Sequence, residues 1–408
     1  MWTTLLDRMA RRLIRQGQLT LTYPDGQTRI YGSGTPAAAM HIRTDAALRA
    51  LCLQPELALG EGYMDGTIDI GGNDALEALL TLLLHNRRPD AFPAYIRALD
   101  RLRFHARAWI QRNSSKTAKA NVAHHYDISD DLYRLMLDAD MQYSCAYFRD
   151  PGMTLEEAQA AKKHHIAAKL RIEPGMSVLD IGCGWGGMAL TLAGDYGAQV
   201  TGVTLSENQL ATAQQRAAQA GLSDKITFRL MDYRDLTDRF DRIVSVGMLE
   251  HVGLPHYDDY FSKVADLLDP DGIALIHTIG RVSPPMAHSP WIHKYIFPGG
   301  YVPSLSELMP ALERSGLWQA DIEVWRMHYA LTLRAWRDRF DASLDTVRGW
   351  YDDRFIRMWR YYLTACIMAF EQQKQCVYHL QLAHRRDAVP LTRDYLYTPT
   401  SAQRHAAE

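Results

Sequence analysis

Residues Ser177–Leu205 read SVLDIGCGWGGMALTLAGDYGAQVTGVTL. Ser177–Ile181 predicts a short buried strand, the glycines that follow a sharp turn, the next stretch a helix, and Gln199–Leu205 a second strand. Glycines at 182, 184, 186 and 187 let the backbone turn tightly and approach a ligand without an intervening Cβ. The helix behind them offers unpaired N–H groups and the positive end of its dipole. This pattern predicts a nucleotide-type cofactor site on an open α/β sheet.

Gly182-x-Gly184-x-x-Gly187 satisfies the dinucleotide fingerprint, so a nicotinamide cofactor has to be weighed. Such a site also needs an acid about 20 residues on, at the end of the second strand, for the ribose diol. Here that strand ends in Thr204-Leu205, and the nearest acid, Glu207, already belongs to the next helix. The acid stands instead ahead of the glycines, as Asp180. A carboxylate there repels a pyrophosphate and suits a cationic amino-acid moiety. The order Asp-x-Gly-x-Gly resembles the S-adenosylmethionine (SAM) site of class I methyltransferases.

The chain has 408 residues, 47% hydrophobic and 23% charged, with a net charge of -2. Its length predicts two domains, read here as 1–115 and 116–408. The charge balance gives no global attraction to nucleic acid. Five cysteines (52, 145, 183, 366, 376), widely spaced and without C-x-x-C, predict no disulfide framework and a reducing, cytoplasmic setting. Leu76–Leu84 is far shorter than the roughly 20 apolar residues of a membrane span. The arginines near the N-terminus lack the apolar region of a secretory signal, so the expectation is a soluble or peripheral protein.

The first domain opens with an amphipathic helix, Leu5, Leu6, Met9, Leu13 and Ile14 against Arg8, Arg11, Arg12 and Arg15. Leu19–Tyr23 and Gln27–Tyr31 around Pro24-Asp25-Gly26 predict a hairpin, and Ala46–Leu53 and Ala75–Leu84 predict helices. Gln111–Asn121 reads as a polar linker. Thereafter Ser177–Ile181, Gln199–Leu205, Ile226–Met231, Arg242–Val246 and Ile273–Ile279 alternate with helices, the pattern of a doubly wound, mostly parallel α/β sheet. Helices around Leu331–Phe340 and Trp350–Gln373 and a last strand, Val377–Ala383, complete the pattern.

Polar residues recur at the predicted strand ends. Glu250 follows the fourth strand and His277 lies near the end of the fifth, so both should flank the glycine loop, where open α/β sheets bind ligands. Taken singly, Cys145, Cys366 and Tyr329 read as ordinary core residues. His124-His125 and His164-His165 lack the repeated spacing of a metal site, and no metal is expected.

An ordered set of segments resembles the cyclopropane-fatty-acyl-phospholipid synthase family, which includes the mycolic acid cyclopropane synthases. The segments are HYDIS (125–129), QYSCAYF (142–148), VLDIGCGWGG (178–187), DYRD (232–235), FDRIVSVGMLEHVG (240–253), HTIG (277–280), PWIHKYIFPGG (290–300) and Tyr361–Cys366. GEGYMDG (60–66) resembles the N-terminal domain of the longer members. The resemblance implies a seven-stranded class I methyltransferase fold with a smaller α+β N-terminal domain that makes lipid, membrane or dimer contacts. It implies transfer of the SAM methyl carbon to a cis double bond of a phospholipid acyl chain, with ring closure and bound bicarbonate as base. The bicarbonate ligands carry over to Cys145, Glu250, His277, Tyr329 and Cys366. Glu250 suits the bicarbonate O–H, while His277 and Tyr329 can donate; the two cysteines serve through backbone or shape.

For SAM, the resemblance has Tyr143 and Ser144 close over the cofactor. Asp180, Gly182, Gly184 and Gly186 meet its amino-acid part, Thr204 and Gln209 the ribose, and Asp232 and Tyr233 the adenine. It further implies a homodimer at the inner face of the membrane. Arg97–Arg112, Arg334–Arg339 and the N-terminal helix read either as solvated helix faces or as basic surface for an anionic bilayer. Trp291, Tyr295, Phe297 and Met368 are candidate walls of an acyl tunnel. Other readings are a lipid C-methyltransferase that leaves a methyl branch or methylene, an amine N-methyltransferase, and a lipid-binding protein with a vestigial cofactor site.

Overall fold

The computed structural model describes residues 1–71, 75–88, 90–111 and 129–397. His124-His125, most of HYDIS and the linker beyond Gln111 lie outside the described residues. The chain forms two compact units. One comprises Met1–Arg107, Met286–Pro298 and Leu333–Lys374, and the other Ala108–Pro285, Gly299–Thr332 and the chain from Gln375 onward. A single boundary near 115 therefore becomes a discontinuous division, because two later segments pack with the N-terminal residues.

In the first unit, strands β1 (Gly17–Thr22), β2 (Thr28–Ser33), β3 (Ala37–Ile42) and β4 (Ile68–Asp69) form a sheet in the order β2-β1-β3-β4. β1 and β2 make the expected hairpin, Leu19 opposite Tyr31, while β3 joins β1 in parallel. Helix Asp353–Gln372 packs on helices Pro55–Met64 and Ala75–His85. Glu77 accepts from Arg334 at 2.8 Å and Arg337 at 2.6 Å, and Glu371 accepts from Arg334 at 2.7 Å. Trp291 packs so closely on Gly60 that a Cβ there would lie 2.3 Å from the indole.

The second unit is built on β5 (Ser177–Ile181), β6 (Gln199–Thr204), β7 (Ile226–Leu230), β8 (Phe240–Val246), β9 (Leu268–Arg281), β10 (Trp318–Trp325) and β11 (Gln375–Ala383). They form a seven-stranded sheet in the order β10-β11-β9-β8-β5-β6-β7. β11 runs antiparallel to both neighbours, and β5 to β9 pair in parallel. Helices Tyr257–Leu267 and Leu305–Ser315 contribute to one apolar core, and helices Leu155–Leu170, Gly187–Tyr196 and Glu207–Gln219 to a second. This is the doubly wound arrangement the alternation implies, and it carries the carboxyl ends of β5, β6, β8 and β9 to one rim. β10 has no counterpart in the sequence reading, because an edge strand bearing Asp321 and Glu323 lacks the apolar run of a central one.

Helix Leu155–Leu170, opened by a Thr154–Glu157 capping box, buries a polar stripe of Gln159, Lys162, His165 and Lys169. Asp321 and Glu323 alternate onto one face of β10 and meet its last turns. Glu323 accepts from His165 at 2.8 Å and from Lys169 at 2.6 Å, and Lys169 also reaches Asp321 at 3.3 Å. Burial pushes the Glu323 carboxyl up, but the His165 N–H and the Lys169 charge outweigh it and hold the group at about 2, below its ordinary 4.5. Because the folded value lies below the free one, this stabilisation is present above about 4.5 and lost as the pH falls toward about 2. It amounts to about 3 kcal/mol. The stability gap between wild type and Glu323→Gln, measured by urea unfolding, should shrink through that window; a pH-independent gap would show that the carboxylate does not act through this network.

Candidate active site

Glycines shape the loop after β5. Gly182, Gly184 and Gly186 all have positive φ, at 79°, 53° and 83°. Gly186 is doubly constrained, since a Cβ there would lie 2.7 Å from the Phe228 ring. Among the described residues, nothing lies within 4 Å of the corresponding position at Gly184. The N–H groups of Gly182 and Cys183 both donate to the Val203 carbonyl at 3.0 Å, tying the loop to β6.

Asp180, one residue before the end of β5, is 1% exposed, and its Oδ2 is buried with no hydrogen-bond partner among the described residues. Burial pushes its carboxyl up to about 7, with the charge of Lys162 acting in the opposite sense. An orphaned carboxylate oxygen beside an open glycine fits a cationic group such as the ammonium of SAM. Lys162 is itself fully buried; desolvation lowers its ammonium to about 8. It donates to Gln142 Oε1 at 2.6 Å and to Ser144 Oγ at 2.8 Å, while Gln159 Nε2 donates to the carbonyls of Gln142 and Ser144. The helix thus straps down the segment that carries Tyr143, Ser144 and Cys145. Tyr143 is half-buried, its ring edge-on to Tyr133 at 5.0 Å.

At the end of β6, Thr204 and Gln209 are buried and hydrogen-bonded to each other at 3.0 Å. Asp232 follows β7 and binds Arg234 through both oxygens, at 2.9 and 2.5 Å; burial pushes its carboxyl up, but Arg234 outweighs that and lowers it. The Tyr233 ring packs into the core, edge-on to Tyr260 at 5.5 Å.

Glu250 sits in the turn Leu249–His251 after β8, 8% exposed. Its Oε1 accepts the Ile279 N–H at 2.6 Å, and its Oε2 is buried without a partner among the described residues. Burial pushes the carboxyl up to about 7. His277 lies on β9 opposite Val246 of β8, two residues before the Ile279 whose N–H binds Glu250, so segment 277–279 and the turn after β8 form one corner of the rim. Trp325 stands edge-on to His277 at 5.4 Å. Tyr147 then links Trp325, at 4.8 Å, to His328, at 5.0 Å. The Ala146 N–H donates to Thr332 Oγ1 at 3.0 Å, which sets Cys145 beside the first turn of helix His328–Ala342, the turn that bears Tyr329.

Four members of the anion set therefore lie in one unit: Cys145, Glu250, His277 and Tyr329. Cys366 lies on helix Asp353–Gln372 of the first unit. Burial raises both thiols, that of Cys366 to about 12, so neither is a ready nucleophile. The corner offers acceptor capacity at Glu250 Oε2 and a ring nitrogen of His277, a set that fits a small anion carrying an O–H. Trp291, Tyr295, Phe297 and Met368 all belong to the first unit; the Trp291 and Tyr361 rings lie 4.6 Å apart, tilted by 59°. Gln159, Lys162, Thr332 and the Ile279 N–H escaped the sequence reading. Spacing of 3 along a helix flags Gln159 and Lys162 only as an ordinary polar face.

Residues 113–380 match the family model described as mycolic acid cyclopropane synthetase, and residues 5–90 match a domain of unknown function. The chain is 41% identical over 338 residues to the cyclopropane-fatty-acyl-phospholipid synthase of Escherichia coli K12, covering 83% of this chain and 86% of that one. It is 34% identical over 392 residues to the tuberculostearic acid methyltransferase UfaA1 of Mycobacterium tuberculosis H37Rv, covering 93% and 90%. Among solved structures, the mycolic acid cyclopropane synthase CmaA1, complexed with SAH and CTAB, superposes with a TM-score of 0.62 at 34% identity, over 65% of this chain and 97% of that one. The chain belongs to the cyclopropane synthase family of SAM-dependent methyltransferases.

Proposed function

We propose that this enzyme transfers the methyl carbon of SAM to the cis double bond of an unsaturated phospholipid acyl chain and closes a cyclopropane ring, with bound bicarbonate as the general base. The observation that carries the reading is Glu250, a nearly buried carboxylate with one oxygen fixed by the Ile279 N–H and the other without a hydrogen-bond partner among the described residues. A methyl transfer to an amine needs no such acceptor; ring closure must remove a proton from a carbon. SAM supplies the electrophilic methyl, and bicarbonate the proton acceptor.

The protein's part is to bind, orient and keep out water. Asp180 Oδ2 takes the ammonium of SAM, and Gly182, Gly184 and Gly186 let its amino-acid end approach the backbone. Thr204 and Gln209 exchange their mutual hydrogen bond for the ribose hydroxyls, and Asp232 and Tyr233 border the adenine. Tyr143 and Ser144, on the segment held by Lys162, cover the cofactor. Glu250 accepts the bicarbonate O–H, and His277 and Tyr329 donate to its oxygens. An alkene is a weak nucleophile, so alignment at near-attack distance carries much of the rate, and a dry corner protects the cationic carbon. Methylation without ring closure is a second reading, favoured by the match to a tuberculostearic acid methyltransferase over most of the chain. A branch made through an exocyclic methylene gives up a proton to the base just as ring closure does, so the two readings part at the bond formed after the methyl transfer.

A lipid substrate requires a membrane contact. No helix among the described residues is long and apolar enough to cross a membrane. Helix Ala94–Ile110 exposes Leu102 at 64% and Trp109 at 72%, alongside exposed Arg97 and Arg101. We assign this helix to the contact with the anionic inner face, at about 1 kcal/mol per arginine. A homodimer remains part of the same reading.

Glu250→Gln keeps the acceptor for Ile279 but removes the charge, so it should bind SAM normally and lose turnover. The carboxyl's folded pKa of about 7 lies above its free value of 4.5, so ionising it costs the folded protein increasingly as the pH rises between the two. The variant should therefore be more stable than wild type above pH 7, by about 1–3 kcal/mol. Full turnover by Glu250→Gln, or loss of its SAM binding in calorimetry, would remove Glu250 from the base site.

Charge reversal at Arg97 and Arg101 should weaken binding to anionic vesicles by about 1–2 kcal/mol per substitution at low salt. Unchanged flotation with vesicles would place the contact elsewhere.

A further inference from the structure

β9 and β11 are antiparallel neighbours whose register sets His277 directly opposite His379. The His277 Nδ1 lies 2.8 Å from the His379 Nε2, and the two rings are 2% and 0% exposed. Burial, reinforced by the buried ammonium groups of Lys162 and Lys169, holds His277 well below its ordinary pKa. Burial, and after it the neighbouring His277, Lys169, His165 and Lys162, likewise hold His379 well below its own. Both imidazoles are neutral, each carries one N–H, and in their contact only one can donate.

The direction follows from the far side of His379. Its Nδ1 is buried with no partner among the described residues. Nearby, ligand atoms of His165, Glu323 and His379 lie within 4.8 Å of one another, the spacing of a metal cluster. Lys169, however, already brings a cation to 2.6 Å from the Glu323 Oε2, which also accepts from His165 at 2.8 Å. That carboxylate oxygen is saturated, and a second cation would face the ammonium. If His379 carried its proton on Nδ1, it would bury an N–H donor with no partner among the described residues, at the desolvation cost of an unmade hydrogen bond. With the proton on Nε2 it donates to His277, and the atom left without a hydrogen-bond partner among the described residues is the Nδ1 lone pair.

We propose that His379 is a positioning residue that fixes His277 as the Nε2–H tautomer, so that His277 donates toward the anion beside Glu250. The inference rests on the bicarbonate reading for its acceptor, and on the β9–β11 register alone for its geometry. With the opposite tautomer, His277 would aim a lone pair at an anion's oxygen. The fixed tautomer is an outer-shell hydrogen bond of the kind that orients imidazole ligands in other sites.

Ring-15N histidine labelling of the full-length protein tests it, with the His277 signals identified by their loss in His277→Gln. Long-range proton–nitrogen correlation should show His277 protonated at Nε2 and bare at Nδ1. His379→Gln keeps a donor toward His277 and should preserve both the tautomer and most of the turnover. His379→Leu removes the donor; the tautomer preference should be lost, and kcat should fall roughly tenfold to a hundredfold, with the KM for SAM unchanged. An Nδ1–H His277 in the wild type, or a His379→Leu enzyme that retains Nε2–H, would overturn the proposal. Failure of the bicarbonate reading is separately visible, as turnover indifferent to bicarbonate in a protein whose His277 tautomer is as described.

Discussion

Desolvation of two carboxylates is the constraint around which this catalytic unit is arranged. Asp180 and Glu250 sit at the carboxyl-terminal rim of a parallel sheet, 1% and 8% exposed, and each keeps one oxygen without a hydrogen-bond partner among the described residues. Burial raises both to about 7. A fold tolerates such groups where a ligand completes them, and perturbed carboxyls cluster at functional sites for that reason. On the proposed reading, the ammonium of SAM completes Asp180 and the O–H of bicarbonate completes Glu250. The two unpaired oxygens then divide the labour between holding the methyl donor and removing the proton.

The surroundings of these groups are rigid because polar side chains are buried with their partners. One helix face carries Gln159, Lys162, His165 and Lys169 into the interior. Its first half holds the segment 142–146 by side-chain bonds to Gln142 and Ser144, and its second half holds β10 through Asp321 and Glu323. Removing one member of such a network strands the other as an unpaired buried charge. The same helix thus secures the cofactor-side segment and the strand that bears Trp325, whose ring flanks both His277 and His379.

Much of this was legible in the chain. The glycine loop, Asp180 and the alternation of apolar runs with helices fix the sheet and the cofactor end, because strand burial and turn chemistry are local properties. Glu250 and His277 were locatable because each follows an apolar run, Glu250 beyond the end of β8 and His277 after Ile273–Ile276 within β9. Pairing across the sheet was not legible. That His379 faces His277 depends on the antiparallel register of β11, more than 90 residues along the chain. β3, paired with only two residues of β4 on one side, and the edge strand β10 lack the apolar signature of central strands, and β10 carries charges that the helix neutralises. The division into units also escaped the linear reading, since Met286–Pro298 and Leu333–Lys374 return to the N-terminal residues through packing alone.

The central claim is that the transferred carbon ends in a ring, which one labelling measurement addresses. The purified enzyme is incubated with vesicles of a monounsaturated phospholipid, bicarbonate and methyl-trideuterated SAM, and the acyl chains are analysed by mass spectrometry. Ring closure adds one methylene carbon carrying two of the three deuteriums, with the third released to the base. Acyl chains that retain all three deuteriums, label confined to the headgroup, or two deuteriums on an exocyclic C=CD2 carbon by NMR would contradict the account.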